Sequence, residues 1–401
     1  MRRIYLDNNA TTQVAPEVVR AILPCYQESY GNASSVHWWG QEAKGLLDSA
    51  RQQVAALLGA EPNEIVFTSG GTESDNLAIR GILDSLPGDA KHVITSQIEH
   101  HAVLHTCQVL QKQGVKVTYV PVDSQGLIDP VDVEKAITPE TVLISIMHSN
   151  NEIGCIQAIQ EIGRIARERD IYFHTDAVQA AGKVPLDVKE LGIDLLSIAG
   201  HKFHAPKGIG ALYVRKGTRI RPLFYGGAHE RNRRAGTENV PQIVGLGKAA
   251  ELAEAGLKEV TEGVQKLRDY FEAEVLKNVP NTHINGARNR RTPNTSNLRF
   301  EQVESEGLVI NLDLAGVACS TGSACTSGSI EPSHVLTALG LSPDEAFNSI
   351  RFSLSRYTTR EEIDEVLMIL PGIVQRLRRS GSASRRSSMS VVDRVKDAHL
   401  A

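Results

Sequence analysis

The chain has 401 residues, of which 41% are hydrophobic and 22% charged, so it can bury a large core and is too long for one simple domain. Its net charge of −4 gives no global electrostatic case for nucleic acid or an anionic membrane as a stable partner. Five cysteines without paired spacing argue against a disulfide framework, the start Met1-Arg2-Arg3-Ile4-Tyr5 lacks a signal-peptide apolar core, and no run approaches membrane-spanning length; a cytoplasmic location is expected.

In chain order, helical stretches are predicted over Ala15 to Tyr26 and Glu42 to Leu58, and Ile65-Val66-Phe67 reads as a strand that turns through Thr68-Ser69-Gly70-Gly71-Thr72-Glu73-Ser74 into a helix beginning near Asn76. Strand-like runs follow at His92 to Ser96, Val115 to Tyr119, Val142 to Met147, Ile171 to His174, Leu195 to Ile198 and Gly210 to Val214. Alternation of this kind predicts an α/β architecture, a mostly parallel sheet flanked by helices. A long helical stretch, about Pro241 to Leu276, then bridges to a smaller C-terminal α/β unit. The expected division is 1–15, an N-terminal segment packing with the small domain; 16–255, the large domain; 256–380, the small domain; and 381–401, a Ser/Arg-rich tail too polar to fold.

Chemistry concentrates at Ser197-Ile198-Ala199-Gly200-His201-Lys202, where an apolar run delivers Lys202 into a loop rich in glycine and histidine. A lysine at the buried end of a strand is placed to be a Schiff-base nucleophile. Upstream, Asp176 follows another short strand, and Gln179 is near it. Alone, each residue has a plainer reading, a loop lysine or a helix N-cap aspartate. Together they suit pyridoxal 5'-phosphate, whose ring nitrogen needs a carboxylate opposite it, with Gln179 close enough to reach the ring hydroxyl. The Gly70-Gly71 turn supplies a phosphate cradle in which Gly71 and Thr72 are the expected contacts.

These segments, with Tyr5-Leu6-Asp7-Asn8-Asn9-Ala10-Thr11-Thr12, Glu99-His100, Asn150-Asn151-Glu152-Ile153-Gly154, Arg234-Ala235-Gly236-Thr237 and Ser323-Ala324-Cys325, resemble the pyridoxal-phosphate-dependent cysteine desulfurases of the NifS and IscS type over roughly residues 4 to 375. The resemblance implies the fold type I architecture and a homodimer with sites at the subunit boundary. It implies Lys202, Cys325 and His100 as catalytic residues, and Gly71, Thr72, His100, Asn151, Asp176, Gln179, His201, Lys202 and Thr237 as cofactor contacts, Thr237 reaching across to the neighbour's phosphate. Asn151 and Arg351 would receive the carboxylate of the substrate L-cysteine, a role that suits the planar fork of arginine. Conversion to L-alanine would leave the sulfur on Cys325 as a persulfide, for delivery to an acceptor such as an iron–sulfur scaffold of the NifU or IscU type.

Cys325 lies in a run of small polar residues, Cys319 to Ser329, with no helical or strand periodicity, which reads as a mobile loop able to carry sulfur. Cys25, Cys107 and Cys155 are read as small buried hydrophobes. Cys319 is either packed at a strand end or a second thiol exchanging with Cys325. Histidine pairs at 101/105 and 201/204 lack a third ligand of obvious spacing, so no metal is expected. Two departures from the family pattern stand out. Ala199 occupies a position where relatives commonly carry a serine that reaches the phosphate, and the end past Leu377 does not resemble the IscS docking tail. The alternatives are another fold type I enzyme, such as a selenocysteine lyase or an aminotransferase, or a noncatalytic assembly subunit.

Overall fold

The computed structural model describes residues 3–88, 91–321 and 331–397, with the backbone alone from 381 onward. Seven strands form the central sheet: β1 (Ile65–Thr68), β2 (His92–Ser96), β3 (Lys116–Val120), β4 (Thr141–Ser145), β5 (Tyr172–Asp176), β6 (Leu195–Ala199) and β7 (Gly210–Val214), in spatial order β1-β7-β6-β5-β4-β2-β3. From β6 to β3 all neighbours are parallel; β7 runs antiparallel to both β6 and β1. Every residue of β2, β6 and β7 is buried, as strands covered on both faces by helices should be.

The helices that matter for the site are α1 (Trp38–Leu58), α2 (Gly71–Ser85), α3 (His101–Lys112), α4 (Ile159–Glu168) and α5 (Val240–Ala255). Helix α1 starts a turn earlier than its apolar pattern predicts because His37 caps it, accepting the Gly40 N–H, and it ends at Gly59, whose φ of 65° a side chain would resist. The predicted helix from Ala15 to Tyr26 is two short ones, Pro16–Ile22 and Pro24–Gln27, since Pro24 cannot continue a helix. Likewise the long stretch after Pro241 breaks at Gly256, passes through a π-helical turn at Val260–Val264, and resumes as α6 (Gln265–Asn278).

A second, smaller sheet of β8 (Thr282–Ile284), β9 (Thr295–Phe300) and β10 (Ser349–Ser353) is wholly antiparallel. With α6, α7 (Ser305–Leu314) and α8 (Arg360–Asp397) it encloses its own core around Phe271, Phe300, Phe352 and Leu312. Ile4 and Leu6 are buried in that same core, and Ile4–Tyr5 pairs in parallel with Val317–Ala318. The backbone of α8 stays helical to Asp397, through the Ser/Arg-rich segment whose composition pointed to disorder; Ser, Ala and Arg tolerate a helix that is already nucleated by the preceding turns.

The carboxyl ends of β2, β4, β5 and β6 and the start of α2 meet on one side of the sheet, where open α/β sheets bind their ligands. Residues 7–10 cross that end on their way from the small sheet, with Asp7 bridging to Ser353.

Candidate active site

Each side chain of the site is delivered by the end of a buried element. Strand β6 ends at Ala199, and a single 3-10 turn, Gly200–Lys202, swings the lysine back toward the sheet. Gly200 permits the turn: a Cβ there would lie 2.9 Å from the Cβ of Ala205 and 3.0 Å from Ile209. Lys202 Nζ donates to the backbone oxygens of Asn9 (2.7 Å) and Ala10 (2.9 Å). Asp176 closes β5, with Oδ1 accepting the Val178 N–H at 2.9 Å. Burial raises its carboxyl to about 6, opposed by the Val178 hydrogen bond and the charge of Lys202.

Both residues face a cavity of about 370 Å³, and most of the residues singled out in the sequence line it: Gly71, Thr72, His100, Asn151, Asp176, Gln179, His201, Lys202 and Arg351. Thr237 does not; it is exposed, beyond the short strand pair Ala228–His229 and Arg234–Ala235. Cys325 lies outside the described residues. His100 caps α3 by accepting the Ala102 N–H, and burial, reinforced by Lys202, lowers its imidazole to about 4, so it is a neutral ring. Burial likewise takes His201 to about 4, and its Nδ1 lies 3.2 Å from the hydroxyl of Thr11.

Arg351, on β10, is 2% exposed and belongs to the small sheet, yet reaches the cavity. Its Nη1 donates to the Asn151 carbonyl at 3.0 Å and its Nη2 to Asp7 Oδ1 at 2.8 Å. At the other end of the cavity α2 begins at Gly71, five residues before the sequence suggested, so its first N–H groups open directly onto it. A Cβ on Gly71 would stand 2.8 Å from Val178 and 3.5 Å from the Ala199 methyl, so the cradle and Ala199 are in contact.

These residues fit pyridoxal phosphate. A lysine amine, a buried carboxylate and a neutral imidazole share a cavity with the free start of a 15-residue helix, which is a site for an anion. Asp75 and Lys183 are not singled out by the sequence, and Asp7 and Glu99 lie within its motifs without a role assigned to them. Asp75 and Asp176 sit with His100 in one tight group, the one set of acidic and histidine ligands among the described residues that is close enough to hold a metal ion, and it lies inside this cavity. His334 joins His101 and His105, with ring centroids 4.9 and 4.8 Å from His101.

Cys25, Cys107, Cys155 and Cys319 are all buried. Cys319 packs into the small-domain core and burial pushes its thiol up to about 12, which favours the packed alternative over an exchanging thiol.

Residues 4–366 match the family model for aminotransferase class-V. A cysteine desulfurase IscS of Methanosarcina thermophila is 56% identical, covering 94% of this chain and 93% of that protein. One of Dictyoglomus turgidum is 52% identical over 94% and 96%. Among solved structures, a NifS-like protein superimposes with a TM-score of 0.88 at 39% identity, covering 93% of this chain and 99% of the other, and SspA in complex with cysteine does so with 0.79 at 40%, covering 89% and 100%. The similarity spans both sheets and every element that shapes the lysine cavity, and so the chain belongs to the class-V aminotransferase family and, within it, to the pyridoxal-phosphate-dependent cysteine desulfurases of the IscS and NifS type.

Proposed function

We propose that this chain takes sulfur from L-cysteine, releases L-alanine, and receives the sulfur on Cys325 as a persulfide. The observation that carries the reading is the placement of Lys202 in one cavity with Asp176, His100 and Arg351. The reaction balances without an added oxidant: the C–S bond of cysteine breaks, an S–S bond forms to Cys325, and the thiol proton ends on the carbon that becomes the alanine methyl.

When bound, the cofactor supplies an electron sink for charge developing at the substrate Cα. The chain supplies the rest. Gly71 and Thr72, at the positive end of α2, together with His201, would hold the cofactor phosphate. With the cofactor bound, Asp176 would hold the proton of the pyridine nitrogen, and the neutral His100 ring would lie against the cofactor. Lys202 would anchor the cofactor and, with its amine free, would carry the Cα proton, while the carbonyls of Asn9 and Ala10 hold Nζ in place. Arg351 and Asn151 receive the substrate carboxylate, which fixes the Cα–H bond relative to Nζ.

The reading extends to a homodimer in the cytoplasm that passes sulfur to a scaffold of the NifU or IscU type, and to the division at 1–15, 16–255, 256–380 and 381–401. An open groove beside the cradle supports the dimer. Thr72 and Glu73 line it together with the exposed Phe224 and Tyr225, where a second copy would cover apolar surface and bring Thr237 of the partner subunit to the phosphate. A stable monomer that retains its cofactor would overturn that part.

The test is a single-turnover reaction with L-cysteine followed by intact mass and alanine analysis. One added sulfur on the wild type and none on Cys325→Ala is expected. Alanine release without added sulfur on the wild type would instead assign a lyase.

A further inference from the structure

Lys183 is 6% exposed and forms no ion pair among the described residues. Its amine donates to Gln179 Oε1 at 2.6 Å. It also borders a small cavity of about 30 Å³, walled by Lys202, Phe203, Leu252 and Val260 together with the polar Asn8 and Asn294, with room for about one water. An amine in such surroundings is costly to bury, so its retention calls for a reason other than stability.

The reason lies in what Gln179 does with its other end. Gln179 Nε2 donates to the Asn9 carbonyl at 3.0 Å, the same oxygen that accepts Lys202 Nζ at 2.7 Å. A glutamine amide can sit either way round. Flipped, it would press its NH₂ against the Lys183 donor and its oxygen against the Asn9 carbonyl, two repulsive contacts. Only one orientation survives, and it leaves the second N–H of Nε2 available to the cavity that Gln179 lines.

We infer that Lys183 is a positioning residue for the cofactor: by holding Gln179 Oε1 it fixes the amide as a hydrogen-bond donor toward the ring hydroxyl oxygen. This rests on pyridoxal phosphate occupying the cavity as proposed above. A donor aimed at that oxygen stabilises its anionic form, and so weakens the hold of the bound cofactor on the proton it shares with the Lys202 linkage. Burial, with the charges of Lys202 and Arg351, pushes the Lys183 amine well below its ordinary value; His201 and His204 in turn feel its charge. Charged or neutral, the amine remains a donor.

The experiment is a pH titration of the visible absorption band of the holoenzyme, without substrate. Lys183→Met and Gln179→Ala should each raise the midpoint by about half a pH unit or more, and the double variant should move it no further than Gln179→Ala does. Lys183→Gln, which keeps a donor and removes the charge, should stay at the wild-type midpoint and also covers the case in which Lys183→Met fails to fold. A wild-type midpoint in Lys183→Met, a shift in Lys183→Gln as large as that in Lys183→Met, or an additive shift in the double variant would overturn the inference. A wild-type protein with no visible band after incubation with pyridoxal phosphate would instead overturn the reading on which it rests.

Discussion

The carboxyl groups of Asp75 and Asp176 approach within 4.8 Å of each other, in the company of a His100 ring nitrogen. Two buried acids so close do not both ionise. Burial and the charge of Asp176 raise Asp75 far above its ordinary value, whereas Asp176 has the Val178 N–H and Lys202 to favour its anion. Asp75 therefore keeps the proton and Asp176 carries the charge. Asp75→Asn should leave cofactor affinity within about threefold of wild type, whereas Asp176→Asn should lower it by tenfold or more, on the order of 1.4 kcal/mol. Equal losses in an equilibrium titration with pyridoxal phosphate would show that both carboxylates are ionised when it binds.

Arg351 has its two terminal nitrogens committed to different partners, Asn151 and Asp7, so a lysine, with one point of charge, cannot replace it. Arg351→Lys should reduce kcat/KM for cysteine by about ten- to a hundredfold, the range of one or two charge-assisted hydrogen bonds. The loss should fall mainly on KM, and steady-state kinetics across a cysteine series checks it; an unchanged KM would remove Arg351 from the carboxylate site.

Ala199 abuts the glycine cradle, its methyl 3.5 Å from where a Gly71 side chain would begin. A serine hydroxyl there would add one donor at the phosphate end of the cavity. Ala199→Ser is expected to tighten pyridoxal phosphate binding by up to about fivefold, about 1 kcal/mol. Equilibrium dialysis of the apoprotein measures it, and weaker binding would show that the methyl is packed too tightly to be replaced.

Glu99 is buried, with Oε1 accepting the Ser96 hydroxyl and the Met147 N–H while Oε2 has no partner. Burial raises its carboxyl to about 8. Between the unfolded carboxylate value, about 4.3, and about 8 the folded chain therefore binds a proton that the unfolded chain does not, and stability falls as the pH rises through that window. Glu99→Gln removes this slope and should gain up to about 5 kcal/mol over the wild type above about pH 8. Thermal melts across the pH range decide the matter, and parallel curves for the two proteins would contradict it.

The parts of the site that the sequence made legible are those carried by strand ends. Lys202 and Asp176 each follow an apolar run whose burial is local and periodic, so their place at the sheet edge could be read directly. The helix breaks at Pro24 and Gly256 are masked in the sequence by an apolar pattern that continues across them. What could not be read is the set of contacts between distant segments. Lys202 meets Asn9 across 193 residues and Arg351 meets Asp7 across 344, and nothing in either short motif announces its partner. Lys183 has the look of any turn lysine until its burial is known, and His334 becomes the companion of His101 only in three dimensions.

Residues 4–9 find their partners at Val317 and Ser353. On a ribosome, this segment thus waits for a strand far later in the chain before it can lie across the sheet and offer the Asn9 carbonyl to Lys202. The large sheet can close early from its own neighbours, but the lysine is held in place only after β10 has emerged. Lys202, already made by then, therefore waits for β10 before its carbonyl clamp is complete.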